Sequence, residues 1–215
     1  MSQCNKKLII AMLAAGGSRR FKGTKLAATL KSSQNAILLD TYLKLKRAAD
    51  VINAGMNTDI NLEMEVEVVV ILGGHRAQLQ PLLPESTHWV VNPDWEQGLS
   101  TSVRCAAQHA INSQASGLML TLADQVAISA ADYLELIYLW QQDKQTVASE
   151  YLEEPGVPAI FNGDDLAVFS RIKGDRGAKP VLMQYKAQGR LSMLSLDCGA
   201  LDIDTRDDLN RWDLQ

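Results

Sequence analysis

The chain is short of the side chains that build metal centres and covalent frameworks. Its three cysteines, Cys4, Cys105 and Cys198, are odd in number and widely spaced, which excludes a disulfide framework and a C-x-x-C metal pair. Ordinary buried thiols in a reducing cytoplasm are expected instead. Its three histidines, His75, His88 and His109, stand far apart, and none has metal-ligand spacing, so neither a zinc site nor a histidine nucleophile is expected. A basic excess is missing as well: net charge −4 and pI near 5.4 leave no electrostatic footprint for nucleic acid. No apolar run reaches membrane-spanning length, and the opening MSQCNKK leads into an apolar stretch too short for a span and without signal-peptide layout. Neither an internal repeat nor a low-complexity tract is present.

What the chain does have is 47% hydrophobic residues over 215 positions, enough for a sizeable core in a single domain covering residues 1–215. Leu8, Ile9, Ile10, Met12 and Leu13 form an apolar run without alternation, as expected of a strand covered by helices on both faces of a mostly parallel α/β sheet. It gives way to Ala14, Ala15, Gly16, Gly17 and Ser18, small residues that let backbone N–H groups approach an anion. Arg19, Arg20, Lys22 and Lys25 then supply compensating charge. A triphosphate would suit that cradle. A P-loop does not fit, because Gly23-Thr24-Lys25 replaces its Gly-Lys-Ser/Thr ending, and the adjacent Gly16 and Gly17 do not make G-x-G-x-x-G. A solvated basic turn between strand and helix remains the other reading of the same residues.

The pattern then repeats. Ile37 to Ala49 places Leu38, Tyr42, Leu45 and Ala49 at helical spacing, residues 53–65 read as a long exposed connection, and Val66 to Leu72 is a second buried strand ending at Gly73-Gly74. A helix over His75 to Leu83, a short strand over His88 to Val91, a turn-rich tip over Asn92 to Gly98 and a helix over Ser100 to Ile111 follow. Gly117 to Ala123 is a third buried strand ending on Asp124, and Ser129 and Asp132 form a capping box for a helix through Gln142. Beyond it, strands are predicted over Thr146 to Leu152, Val157 to Phe161 and Leu191 to Leu196. Asp164 to Ile172 is helical, Gly174 to Gly177 a loop, and the tail carries acids at a strand end and in the first turn of a last helix.

In open α/β sheets ligands collect beyond the carboxyl ends of strands, where both the glycine loop and Asp124 fall. A carboxylate there can hold a divalent metal, with Asp204 at a second strand end as partner; magnesium on a nucleotide commonly uses one or two carboxylates plus phosphate oxygens. On the residues alone a turn or capping role is the preferred account of Asp124. Asp202, Asp207 and Asp208 look like capping and solvated-face acids. Trp95, in a polar tip, is either a core anchor or a substrate contact.

Leu13-Ala14-Ala15-Gly16-Gly17-Ser18-Arg19-Arg20-Phe21 with Lys25 resembles the LAAG-x-S-x-R-x-G-x-x-K signature of nucleotidyltransferases with a Rossmann-like GT-A fold. Among these it is similar to the molybdenum cofactor cytidylyltransferase group of the MobA-like NTP transferases. The likeness spans nearly the whole chain: Val69 to Gly74 with His75, Asn92 to Gly98 with Ser102, Leu122 to Gln125, Gly156-Val157-Pro158 with Phe161, Gly174 to Ala178, and Asp202 to Thr205. Departures are Lys22 where a glycine is usual, Val126 where a proline is usual, and Lys179 where an arginine ends the Gly-Asp motif, which keeps charge but loses the planar fork.

The resemblance implies transfer of a cytidylyl group from CTP to the terminal phosphate of molybdopterin. Arg20, Lys25 and Asp124 would be the catalytic residues, and Leu13, Ala14, Ala15, Gly16, Gly17, Ser18 and Gly74 would line the nucleotide. Asn92, Trp95, Gly98, Ser102 and Asp175 would meet the acceptor, and Asp124 and Asp204 would hold Mg2+. Ala15 stands where guanylyl-transferring relatives have glycine, which implies cytosine. A recipient molybdoenzyme is the implied protein partner, with neither nucleic acid nor membrane. A nicotinamide-dependent reductase of similar fold, an escort protein for the cofactor and a transferase for another phosphorylated acceptor are the alternatives. An escort would have no reason to keep a carboxylate pair.

Overall fold

A computed structural model describes residues 6–18, 20–21, 23–55 and 64–214; Cys4, Arg19, Lys22 and most of the predicted 53–65 connection lie outside the described residues. The elements in chain order are β1 (Lys6–Ala14), α1 (Ile37–Asn53), β2 (Met64–Leu72), α2 (Arg76–Leu79), β3 (His88–Val91), α3 (Leu99–Asn112), β4 (Gly117–Leu122), α4 (Ala130–Asp143), β5 (Thr146–Tyr151), β6 (Glu154–Asn162), α5 (Lys179–Ala187), β7 (Leu191–Ser195) and α6 (Arg206–Trp212).

The strands form one seven-stranded sheet in the order β3-β2-β1-β4-β6-β5-β7. Every neighbouring pair is parallel except those made by β6, which runs against both β4 and β5. The unalternating apolar run of β1 follows from burial on two sides. Leu8, Ile10, Met12 and Ala14 point into a core shared with α1 and α4, while Ile9, Ala11 and Leu13 point into a second core against α3 and α5. Each such buried aliphatic side chain contributes about 1.5–3 kcal/mol of hydrophobic stabilisation. No described helix is long and apolar enough to cross a membrane.

Chain order explains where a ligand can enter. From β1 the chain moves outward to β2 and β3, then returns across to β4 on the other side of β1. The loops leaving β1 and β4 therefore diverge in opposite senses from adjacent strands, with Leu13 paired to Leu122, and open a crevice between them.

Several sequence expectations are corrected. No strand precedes the last helix: residues 201–204 belong to no strand, and Ile203 N–H reaches over to the Asp124 carbonyl at 3.4 Å. The predicted helix from His75 stops at Leu79, where Pro81, without an N–H, turns the chain into a 3-10 segment. The helical segment expected over 164–172 is present as a 3-10 helix over Gly163–Arg171. β6 begins at Glu154, not Val157, because Leu152 and Glu153 both take left-handed φ and close a hairpin. Helix α5, not expected from the sequence, follows Gly177 and carries Pro180 in its first turn. Cys105 and Cys198 are unpaired and half-buried rather than buried.

The capping box predicted at α4 is present: the Ser129 hydroxyl accepts from Asp132 N–H at 3.3 Å, and the Asp132 carboxylate accepts from Ser129 N–H at 2.7 Å. Ser129→Ala should cost about 1 kcal/mol. For a chain of this size that lowers the melting temperature by roughly 2–4 °C. Calorimetry checks it, with an unchanged melting temperature assigning the helix start to tertiary packing alone.

Candidate active site

The crevice is a cleft of about 520 Å³. Its β1 wall is the run Leu13, Ala14, Ala15, Gly16, Gly17 and Ser18, its β4 wall is Leu122, Ala123 and Asp124, and Arg20 and Lys25 close one end. The loop is shaped by two contacts. Ser18 takes a left-handed φ of 51° and its carbonyl accepts from Phe21 N–H at 3.1 Å, which turns the cationic residues back over the sheet edge. His75 Nε2 lies 3.2 Å from the Gly17 carbonyl oxygen and its Nδ1 3.4 Å from Thr24 Oγ1, so the imidazole braces the loop from behind.

Trp95 explains the glycines. Its indole lies flat over the loop, where a Cβ at Gly17 would stand 2.8 Å from Cζ3 and one at Gly74 2.9 Å from Cη2. Gly74 therefore serves as a platform for the indole and lies outside the cleft lining, while Trp95 is half-buried and does line it. Trp95 thus packs on the loop and faces the cleft as well. Asn92 is buried and away from the cleft: its Nδ2 donates to Thr101 Oγ1 at 2.8 Å and Ser102 Oγ at 3.0 Å, pinning the tip to α3. Gly98, with φ 105°, Ser102 and Asp175 do line the far wall. A side chain on Gly98 would collide with the Asp175 carboxylate.

The charged centre is compact. Lys25 Nζ donates to Asp124 Oδ2 at 2.5 Å and to Asp204 Oδ1 at 3.1 Å, and Arg20 pairs with Asp204 Oδ2 at 2.7 Å. Burial works against the Lys25 charge, but the two carboxylates outweigh it and hold its pKa above the ordinary lysine value. Asp202, exposed as expected, also lines this cleft. In an extended segment residues two apart share a face, so Asp202 and Asp204 both point into the cleft while Ile203 between them is fully buried. Although its own surface is largely exposed, the protein around Asp202, and then the Asp124 and Asp204 charges, push its pKa up to about 7. Asp208 does cap α6, accepting from Thr205 N–H at 2.8 Å, and Asp207 is exposed.

The D-I-D alternation was the signal that could have found Asp202. Glu96, Gln97 and Leu99 also line the cleft without having been singled out. Among the described residues no three His, Cys, Asp or Glu side chains converge as a self-sufficient metal site. The donor set of Asp124 and Asp204 instead fits a hard divalent ion that completes its shell with phosphate oxygens and water.

Residues 10–189 match the MobA-like NTP transferase domain. The purine catabolism protein PucB of Bacillus subtilis (strain 168) is 29% identical over 202 residues, 92% of each chain. Among solved structures, Rv0371c of Mycobacterium tuberculosis H37Rv superposes with TM-score 0.75 at 24% identity over 99% of this chain and 100% of that one. A complex of Rv0371c with manganese gives 0.68 at 22% identity over 98% and 99%.

Lys25 Nζ lies between the Asp124 and Asp204 carboxylates. Lys25→Met, which leaves both carboxylates without that ammonium, should therefore raise Mn2+ affinity in the absence of nucleotide about tenfold, or ~1.4 kcal/mol. Mn2+ titration by electron paramagnetic resonance measures it. Unchanged or weaker binding would mean that the carboxylates do not take a metal.

Proposed function

This chain belongs to the MobA-like NTP transferase family, and from that premise we propose that it transfers a cytidylyl group from CTP to the terminal phosphate of molybdopterin. The observation that carries the reading is the meeting, at one switch point of the sheet, of a glycine loop, two cations and two carboxylates.

An oxygen of the acceptor phosphate attacks the α-phosphorus of CTP; a P–O bond forms there, the bond from the α-phosphorus to the bridging oxygen breaks, and pyrophosphate leaves with its charge. No protein nucleophile is needed, so the protein contributes alignment and charge neutralisation. Gly16, Gly17 and Ser18 present backbone N–H groups to the triphosphate from a loop held by Trp95 and His75. Arg20 and Lys25 stabilise the departing pyrophosphate, which they reach by giving up their contacts with Asp204 and Asp124. Asp124 and Asp204 would hold magnesium, whose chemistry is to neutralise and orient the phosphate oxygens. The manganese complex of the mycobacterial relative supports a divalent ion.

Ala15, buried in the cleft wall, supports a pyrimidine: its methyl group narrows the space beside the base, at a cost to a purine on the order of 1–3 kcal/mol. CTP should thus be favoured over GTP by tenfold or more, and Ala15→Gly should raise GTP use. The deciding experiment follows pyrophosphate release with each nucleoside triphosphate, with and without purified molybdopterin. Release with CTP and molybdopterin together is expected; GTP preference would move the base assignment, and release with none would end the transfer reading.

Asp124→Ala should abolish turnover and leave the melting temperature within a few degrees, because this carboxylate lies at a strand end rather than in the core. Turnover and melting are measured on the same preparation. Activity within a few-fold of the parent would make Asp124 a turn residue only.

A further inference from the structure

Asp204 is brought to the cleft from the far edge of the sheet. In the order β4-β6-β5-β7 two strands stand between β4 and β7, so the segment that follows β7 must return across β5 and β6 before Asp202 and Asp204 can face Asp124. Gly199 marks the crossing. It is buried against Tyr151 of β5, so closely that a Cβ there would stand 2.9 Å from Tyr151 Cδ1.

The residue that secures this return is Gln125, next to Asp124 and 1% exposed. Its Nε2 donates to the Val157 carbonyl of β6 and to the Gly199 carbonyl, each at 2.9 Å, and so joins the end of β4 to segments 32 and 74 residues away. Both partners can only accept, which fixes the orientation of the amide. Its Oε1 is left buried with no hydrogen-bond partner among the described residues. A side chain kept here with one oxygen unsatisfied calls for a reason beyond filling space. Gln125 does not itself line the cleft.

We propose that Gln125 is a positioning residue for nucleotidyl transfer: by tying Gly199 and Val157 to the end of β4, its amide sets how far Asp204 stands from Asp124, and so how the two carboxylates share a divalent cation. The inference rests on the nucleotidyl-transfer reading and adds to it a residue that acts only through others. The Lys25 ammonium shows the spacing that results, 2.5 Å from Asp124 Oδ2 and 3.1 Å from Asp204 Oδ1. Without the amide, the segment keeps the buried Ile203 and its N–H contact to the Asp124 carbonyl at 3.4 Å, longer than either bond from Gln125. The Asp208 carboxylate, which accepts from Asp204 N–H at 3.2 Å, belongs to the same segment and cannot fix it against β4. Asp204 would thus stay near Asp124 but no longer at one distance. The glycine loop leaves β1 and is braced by Trp95 and His75, so its hold on a triphosphate does not pass through Gln125.

The test uses Gln125→Met, which keeps the length of the side chain and removes both donors. Mn2+ is titrated into the full chain by electron paramagnetic resonance, with and without CTP, and CTP is titrated by calorimetry with the metal left out. Mn2+ should bind at least fivefold more weakly to the variant, while metal-free CTP affinity stays within twofold of the parent. Gln125→Asn, whose shorter amide cannot span both carbonyls, should show the same split and carries the test if the methionine variant melts below the assay temperature. Ser149→Ala controls for stability alone: it removes a fully buried hydroxyl that donates to the Pro158 carbonyl at 2.8 Å, beside Val157, and has no tie to Gly199. Its Mn2+ affinity should match the parent's. Mn2+ affinity within twofold of the parent in a folded Gln125 variant, or an equal loss in Ser149→Ala, overturns the proposal. Failure of the two readings is separable: normal CTP binding with unchanged Mn2+ affinity in Gln125→Met removes only the role of Gln125, whereas weakened Mn2+ in that variant, with no nucleoside triphosphate bound by the parent, removes the transfer reading and leaves Gln125 as the residue that spaces the carboxylates.

Discussion

The ammonium of Lys25 joins the side chains of three segments at one point. It sits 99 residues from Asp124 and 179 from Asp204, and its two hydrogen bonds draw the loop after β1, the end of β4 and the segment before α6 to one point. An opposite-charge cluster half-withdrawn from water is stable only while it stays neutral, since a lone buried charge is far more costly than a paired one. The charges of Lys25, Arg20, Asp124 and Asp204 therefore compensate one another within the protein. Loss of Lys25 would leave Asp124 without an ion-pair partner among the described residues and loss of Asp204 would leave Arg20 without one, so the charges are linked through these two residues.

The shape of the cleft has a second origin, in one aromatic ring. Trp95 covers the glycine loop so closely that Gly17 and Gly74 admit no side chain, and the tip that carries the ring is fixed by the buried Asn92. The loop is thus held in place by the ring packed against it. Donors arranged in advance stabilise developing charge without reorganising during reaction, which is where a preorganised loop differs from a merely flexible glycine tract.

How much of this could be read from the letters depends on whether a feature is local. β1 was legible because burial on two faces leaves an unbroken apolar run, and the α4 capping box because its partners are three residues apart. No strand precedes Asp204; its place is set by the buried Ile203 beside it, whose N–H reaches Asp124, and by its bonds to Lys25, Arg20 and the Asp208 carboxylate. Asp202 was missed because a short acidic tract reads as solvated until the burial of Ile203 shows which way its neighbours face. Helix α5 escaped because its buried residues, Val181, Leu182 and Tyr185, fill less than three turns. Gly74 and Asn92 were placed against substrate, yet they support those that line the cleft, a distinction that only tertiary contacts draw.

The reversed strand β6 has a consequence for how such a protein can diversify. Because β6 runs back from the ligand edge, the link from β5 is a hairpin at that edge and needs no helical crossover. A hairpin can gain or lose residues at small entropic cost, as closure penalties grow only logarithmically with length. The strands that carry the glycine loop and Asp124 lie on the other side of β6 and keep their register while it does so. The fold thereby separates an inheritance that must be kept from one that is free to drift: new partners can be acquired by rewriting a turn, without renegotiating the machinery beside it.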